Sequence, residues 1–116
     1  MIIKTNGSTR IVILINNYAL KIPSFRSWKL FLTGLICNIK ETEFSKTQWE
    51  ELCPIVFSTW GGFLNIMKRT QPLTKKEWEM FDYNKFINKK EYTIPVEMKY
   101  CSFGTLKGKI VAVDYG

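Results

Sequence analysis

Few side chains in this sequence are equipped for catalysis, and the missing types narrow the field first. There is no histidine among the 116 residues. Its absence removes the commonest general base and the commonest zinc ligand, and so excludes Ser-His-Asp, Cys-His and His-ligated metal sites within one chain. Cys37, Cys53 and Cys101 are odd in number and have no CxxC spacing. That pattern argues against a disulfide framework and a Cys₄ metal site, and reduced intracellular thiols are the expectation. Redox or metal chemistry through them lacks both spacing and basic activators. Two charged residues remain. In the run Tyr18-Ala19-Leu20-Lys21-Ile22, Tyr18, Leu20 and Ile22 share one face of a strand, and Lys21 lies with Ala19 on the other. If that face is covered, its ammonium needs an acidic partner or a phosphate; on an open edge it points to water. Asp114 follows a run of apolar residues, 110–113, and precedes Tyr115-Gly116. A carboxylate at the mouth of a buried strand suits a metal or a charge pair, and a hydrated aspartate is the plainer alternative.

The elements that must position these groups follow from period and turn chemistry. Residues 10–22 read as two β-branched runs joined by Asn16-Asn17, a pair that tolerates the positive φ of a tight hairpin. The first run is apolar on both faces, as in an interior strand covered on both sides. After Ser24, Trp28, Phe31, Leu32, Leu35, Ile36 and Ile39 recur at the spacing of an amphipathic helix reaching about Glu43. Gly34 near its middle costs about 1 kcal/mol against alanine and lets something pack closely. Thr47 with Glu50 reads as a capping box for a short extra turn that Pro54 limits, and Thr74 with Glu77 as another that opens a helix bearing Trp78, Phe81 and Phe86. Residues 55–67 form a second hairpin on Gly61-Gly62. A lysine-rich loop is expected between Tyr83 and Pro95. Residues 101–116 form a third hairpin on Lys107-Gly108. The sum is α+β: one domain over residues 1–116, an antiparallel sheet of about five to seven strands in hairpins, one long packed helix and a second shorter helix.

Composition adds a partner. Seventeen Lys and Arg against ten Asp and Glu give a net charge of +7, which favours an anionic partner such as a nucleic acid, a nucleotide phosphate or an acidic protein surface. Lys68, Arg69, Lys75 and Lys76 form a basic cluster, while residues 41–51 are acidic. The longest apolar run, residues 11–15, is far too short to span a bilayer, so a soluble cytoplasmic protein without membrane contact is expected. Most tryptophans belong to the core, but Trp60, beside Gly61-Gly62 on a hairpin tip, is the expected exposed anchor for a partner.

Taken in order, ALKI around Lys21, a long helix carrying glutamates, a hairpin ending in NIMKR, and GKIVAVDYG resemble the N-terminal lobe of eukaryotic-type protein kinases across residues 7–116. In that family the strand lysine pairs with a helix glutamate and holds ATP phosphates, and the aspartate of Asp-Phe-Gly binds magnesium. The resemblance implies these roles for Lys21 and Asp114. It leaves the helix glutamate open between Glu41 and Glu43, where Glu43 continues the apolar stripe and Glu41 flanks it. Met67 falls near the gatekeeper position. The departures are equally informative. Only Gly7 stands for the glycine-rich loop, Glu97 and Ser102 occupy the places of the catalytic aspartate and the magnesium-binding asparagine, and the His-Arg of the catalytic triplet is absent. The sequence ends at the aspartate motif, so no activation segment or helical lobe is expected. The underside of the sheet must then be covered by residues 74–90 or by a second copy.

These features lead to an expectation of a non-enzymatic interaction protein, similar in size and composition to short bacteriophage proteins, that binds and inhibits a host or defence macromolecule with an acidic surface in the host cytoplasm. The alternatives are a nucleotide-binding or residual phosphotransfer module using ATP and magnesium through Lys21, Glu41 or Glu43, and Asp114, and a nucleic-acid-binding protein. A homodimer is compatible with each.

Overall fold

The computed structural model describes residues 1–4 and 9–116. Strand β1 (Ile2–Lys4) pairs antiparallel with β2 (Arg10–Ile15), which pairs in turn with β3 (Tyr18–Pro23). Asn16, at φ 51°, supplies the left-handed residue of the β2–β3 turn. The second hairpin joins β4 (Ile55–Ser58) to β5 (Asn65–Lys68) through a 3-10 turn at Trp60–Gly62. Strand β5 lies against β3, with Leu20 opposite Ile66. The five strands form one antiparallel sheet in the order β1-β2-β3-β5-β4. β2 is interior to it, yet residues 11–14 are only half-buried, because one face of the sheet is not covered as the apolar run implied.

Helix α1 (Trp28–Ser45) begins at Ser27, whose side chain accepts from the Leu30 N–H. It approaches the sheet at Gly34, where an added Cβ would stand 2.5 Å from Thr9 O and 2.9 Å from Pro23 Cα. The close approach expected at this glycine is therefore real, and it also fixes the helix's rotation. Gly34, Asn38 and Glu41 are the buried residues of α1. Most of the apolar stripe expected to face the core instead faces outward, with Trp28 76% exposed and Leu32, Ile36 and Ile39 also exposed, while Phe31 and Leu35 are half-buried. A glycine notch and two polar side chains matched to charges on the sheet set the orientation, and hydrophobicity does not.

No helical turn forms after α1. Thr47 Oγ1 donates back to Phe44 O at 2.6 Å and Gln48 takes φ 59°, so the expected capping box with Glu50 is replaced by a turn. Cys53 N–H then donates to Ala112 O at 2.9 Å. The box at Thr74 is present and opens α2 (Lys75–Met80). A further short helix, α3 (Tyr83–Ile87), capped by Asp82, occupies the first part of the expected lysine-rich loop. The third hairpin pairs β6 (Phe103–Leu106) with β7 (Lys109–Ala112), Lys107 and Gly108 turning at positive φ. It forms a separate two-stranded sheet rather than extending the first.

The core lies beneath the five-stranded sheet, where Leu52, Cys53, Met67, Leu73, Ile94, Val96, Phe103, Val111, Ala112 and Tyr115 cluster. Phe103 gathers Trp78, Phe81 and Phe86, with ring centroids at 5.9, 4.8 and 5.5 Å. Residues 73–115 thus pack beneath the sheet at Met67, while Lys21 is buried against Glu41 of α1 and the Val113 carbonyl. Among the described residues no helix is long and apolar enough to cross a membrane.

Candidate functional site

Lys21 and Glu41 meet because β3 and α1 present them to the same gap. Alternate β3 residues Ala19, Lys21 and Pro23 are buried, and Gly34, Asn38 and Glu41 fall on one side of α1. Lys21 Nζ lies 2.9 Å from Glu41 Oε2. Arg10 shares that sheet face, since it stands two residues before Val12, the partner of Lys21 across the β2–β3 ladder. Its Nη1 lies 2.8 Å from Glu41 Oε1 and donates to Asn38 Oδ1 at 3.1 Å. Arg10 Nη2 donates to Asp114 Oδ1, and Lys21 Nζ donates to Val113 O. Two cations and two carboxylates therefore form one chain of contacts. Glu41 is fully buried, Arg10 and Lys21 are nearly so, and the Asp114 side chain is 57% exposed.

Burial opposes ionisation of Glu41, but Lys21 and then Arg10 overcome it and hold its carboxyl below the ordinary value of 4.5. Burial likewise works against the Arg10 charge, and Glu41 with Asp114 reverses the effect and raises its pKa. Amides extend the network. Asn38 Nδ2 donates to Lys21 O at 3.1 Å and to Gly62 O at 2.8 Å, and Asn65 Nδ2 donates to Asn38 O at 3.0 Å. These bonds tie α1 to β3 and to the β4–β5 connection.

Of the residues singled out from the sequence, the fold assembles Lys21, Glu41 and Asp114. Glu43 is not with them: it is exposed and pairs with Lys46 at 3.5 Å, because the stripe it continues faces outward. Met67 is buried in the core. Glu97 is exposed and paired with Lys99 at 3.0 Å, while Ser102 is buried and accepts from Val113 N–H through its carbonyl. Gly7 lies outside the described residues. Arg10, Asn38 and Asn65 were missed. Arg10 was detectable, since it heads the β-branched run in phase with the strand position facing Lys21.

Trp60 is 90% exposed at the β4–β5 connection. Lys68 and Arg69 lie at the other end of β5, about 10 Å along the strand, with Arg69 Nη1 donating to Asn16 O at 3.3 Å. Lys75 and Lys76 are exposed in the first turn of α2. Trp60 and the pair Lys68 and Arg69 thus sit at opposite ends of β5, and Lys75 and Lys76 belong to a different element.

The donor set does not fit a resident magnesium ion. Asp114 is the one exposed carboxylate of the cluster and is already engaged by a guanidinium, and no group of three or more metal-ligating side chains occurs among the described residues. The cysteines are separate and free, and burial pushes the Cys53 thiol up to about 11, which suppresses its nucleophilic form. Comparison of the chain with protein-family models, curated proteins and solved structures finds no match.

Proposed function

We propose that this chain acts without catalysis, as an interaction protein that binds a macromolecular partner bearing an acidic surface and inhibits it by occupancy. In the setting its size and composition suggest, it is a bacteriophage product acting on a host or defence macromolecule in the host cytoplasm. The observation that carries this reading is the internal commitment of the charges in the cluster. Arg10 engages both Glu41 and Asp114, and Lys21 is held by Glu41 and the Val113 carbonyl. In the kinase lobe that the sequence resembles, these positions handle phosphates and magnesium. Here they fasten α1 and residues 113–114 to the sheet.

A nucleotide-binding reading has one observation in its favour, the 2.9 Å Lys21–Glu41 pair with a half-exposed Asp114 beside it. It requires Arg10 to release Asp114. Calorimetry and thermal unfolding with millimolar Mg-ATP separate the two readings. We expect no heat of binding and an unchanged midpoint. A ligand at a hundred times its Kd adds about 2.7 kcal/mol to stability, equivalent to about 10 °C in a domain of this size. A saturable shift of that kind, abolished by Lys21→Met, would replace the interaction reading with the nucleotide one.

A further inference from the structure

The outward face of α1 departs most from what a soluble surface requires. Trp28, Leu32, Ile36 and Ile39 are 76%, 52%, 52% and 43% exposed. At 100° per residue they fall within one stripe along about 17 Å of helix. Lys29 and Lys40 follow along one long edge of that stripe. The 3-10 turn bounds the other edge: an added Cβ on Gly62 would stand 2.3 Å from Leu35 O and 3.0 Å from Ile39 Cγ1, which places exposed Trp60 beside this side of α1. An open pocket of ≈ 370 Å³, lined by Phe25, Ser27, Trp28 and Phe31, lies at the N-terminal end.

We propose that this face docks an acidic amphipathic helix of a partner protein. The proposal rests on the interaction reading and names the chemistry of the partner. A partner helix carrying apolar residues at i, i+4 and i+7 matches the spacing of the stripe, and a large apolar side chain fits the pocket at its end. Charge selects its sign. The flanking residues of the stripe are Lys29 and Lys40, and the acid on the same face, Glu43, is already paired with Lys46. Acidic flanks on the incoming helix complement that edge. A second copy of this chain is disfavoured, because a two-fold contact would bring the same two lysines from both copies into one interface within molecules of net charge +7.

The test uses the intact protein and a labelled helical peptide of about 18 residues with leucine and tryptophan on one face and glutamate on the other. A version with lysine for glutamate and a scrambled version serve as controls, and fluorescence anisotropy is the readout. The acidic peptide should bind saturably and at least about tenfold more tightly than either control. Leu32→Asp and Ile36→Asp should each weaken it about tenfold with only a small fall in the thermal midpoint, since about half of each side chain is already in water. Lys29→Glu with Lys40→Glu should reverse the preference towards the lysine peptide. Equal binding of both charged peptides, no saturable binding of the acidic one, or binding indifferent to Leu32→Asp would overturn the proposal. So would a concentration-dependent dimer that Leu32→Asp dissociates, which would assign the face to a second copy. A nucleotide-dependent thermal shift would instead overturn the interaction reading and leave these peptide outcomes readable on their own.

Discussion

A fully buried glutamate between two cations gives stability a fixed dependence on pH. Glu41 titrates at its ordinary value of 4.5 when unfolded and below it when folded, because Lys21 and Arg10 favour the anion. The folded state therefore binds this proton less readily than the unfolded one. The stabilisation is fully present above the unfolded value and is lost as pH falls through the depressed folded value. Urea unfolding from about pH 7 to about pH 3 should show this acid limb, and Glu41→Gln should flatten it. That substitution also leaves buried Lys21 without a carboxylate and Arg10 with Asp114 alone at every pH, at a cost of about 3–5 kcal/mol. Combining it with Lys21→Met should cost less than Glu41→Gln alone, since the uncompensated charge is then removed. Additive losses would show that the pair does not couple. The sequence made part of this cluster legible. Strand alternation placed Lys21 on the face opposite Tyr18, Leu20 and Ile22 without deciding whether that face is covered, and the end of an apolar strand marked Asp114. It left the helix glutamate open between Glu41 and Glu43, because helix period could say only that Glu43 continues the apolar stripe and Glu41 flanks it, and the exposed part of that stripe carries Glu43 into water. Arg10 was detectable by the same alternation, since the β2–β3 hairpin brings it onto the face of Lys21.

Among the elements, α1 has an orientation set by a notch. Gly34→Ala should gain about 1 kcal/mol in helix propensity, yet its methyl would meet Thr9 O at 2.5 Å and the Pro23 backbone at 2.9 Å. Backbone atoms cannot swing aside like a side-chain tip, so overpacking of about 1–3 kcal/mol should prevail. The helix must then lift and loosen the Lys21–Glu41 contact. Chemical denaturation should show net destabilisation together with a weaker acid limb; a stabilised variant would mean that α1 slides freely over β3. The hairpins were legible because their turns are local chemistry: Asn16, Gly61 and Lys107-Gly108 adopt the positive φ their types permit. β1 and α3 were not, since three- and five-residue elements are too short to display a period. The turn after α1 depends on Cys53 and Ala112, 59 residues apart in sequence, and no local signal at Thr47 and Glu50 carries that contact.

At the scale of the whole molecule, α1 covers one part of the underside of the five-stranded sheet, and a layer that starts at α2 and ends at Tyr115 packs beneath another at Met67. The layer is fastened by polar as well as apolar contacts. Tyr115 Oη donates to Cys53 O at 2.7 Å, and burial raises the pKa of that phenol, so it stays protonated as a donor. Tyr83 Oη donates to Val96 O at 2.6 Å. Phe103 is the hub, 3% exposed and in ring contact with Trp78, Phe81, Tyr83 and Phe86. These aromatics come from two helices and a hairpin that share little backbone hydrogen bonding with the sheet. The layer should therefore depend on side-chain packing more than the sheet does. Phe103→Ala removes the hub and should cost about 3–5 kcal/mol, a large share of the roughly 5–15 kcal/mol available to a domain. The loss should be uneven. Hydrogen exchange at neutral pH should show faster exchange of the α2 and α3 amides, with β2, β3 and β5 keeping most of their protection, and near-ultraviolet circular dichroism should lose much of its aromatic signal. Uniform loss of protection across all strands and helices would show instead that sheet and layer open together, and that Phe103 reports on a single cooperative unit.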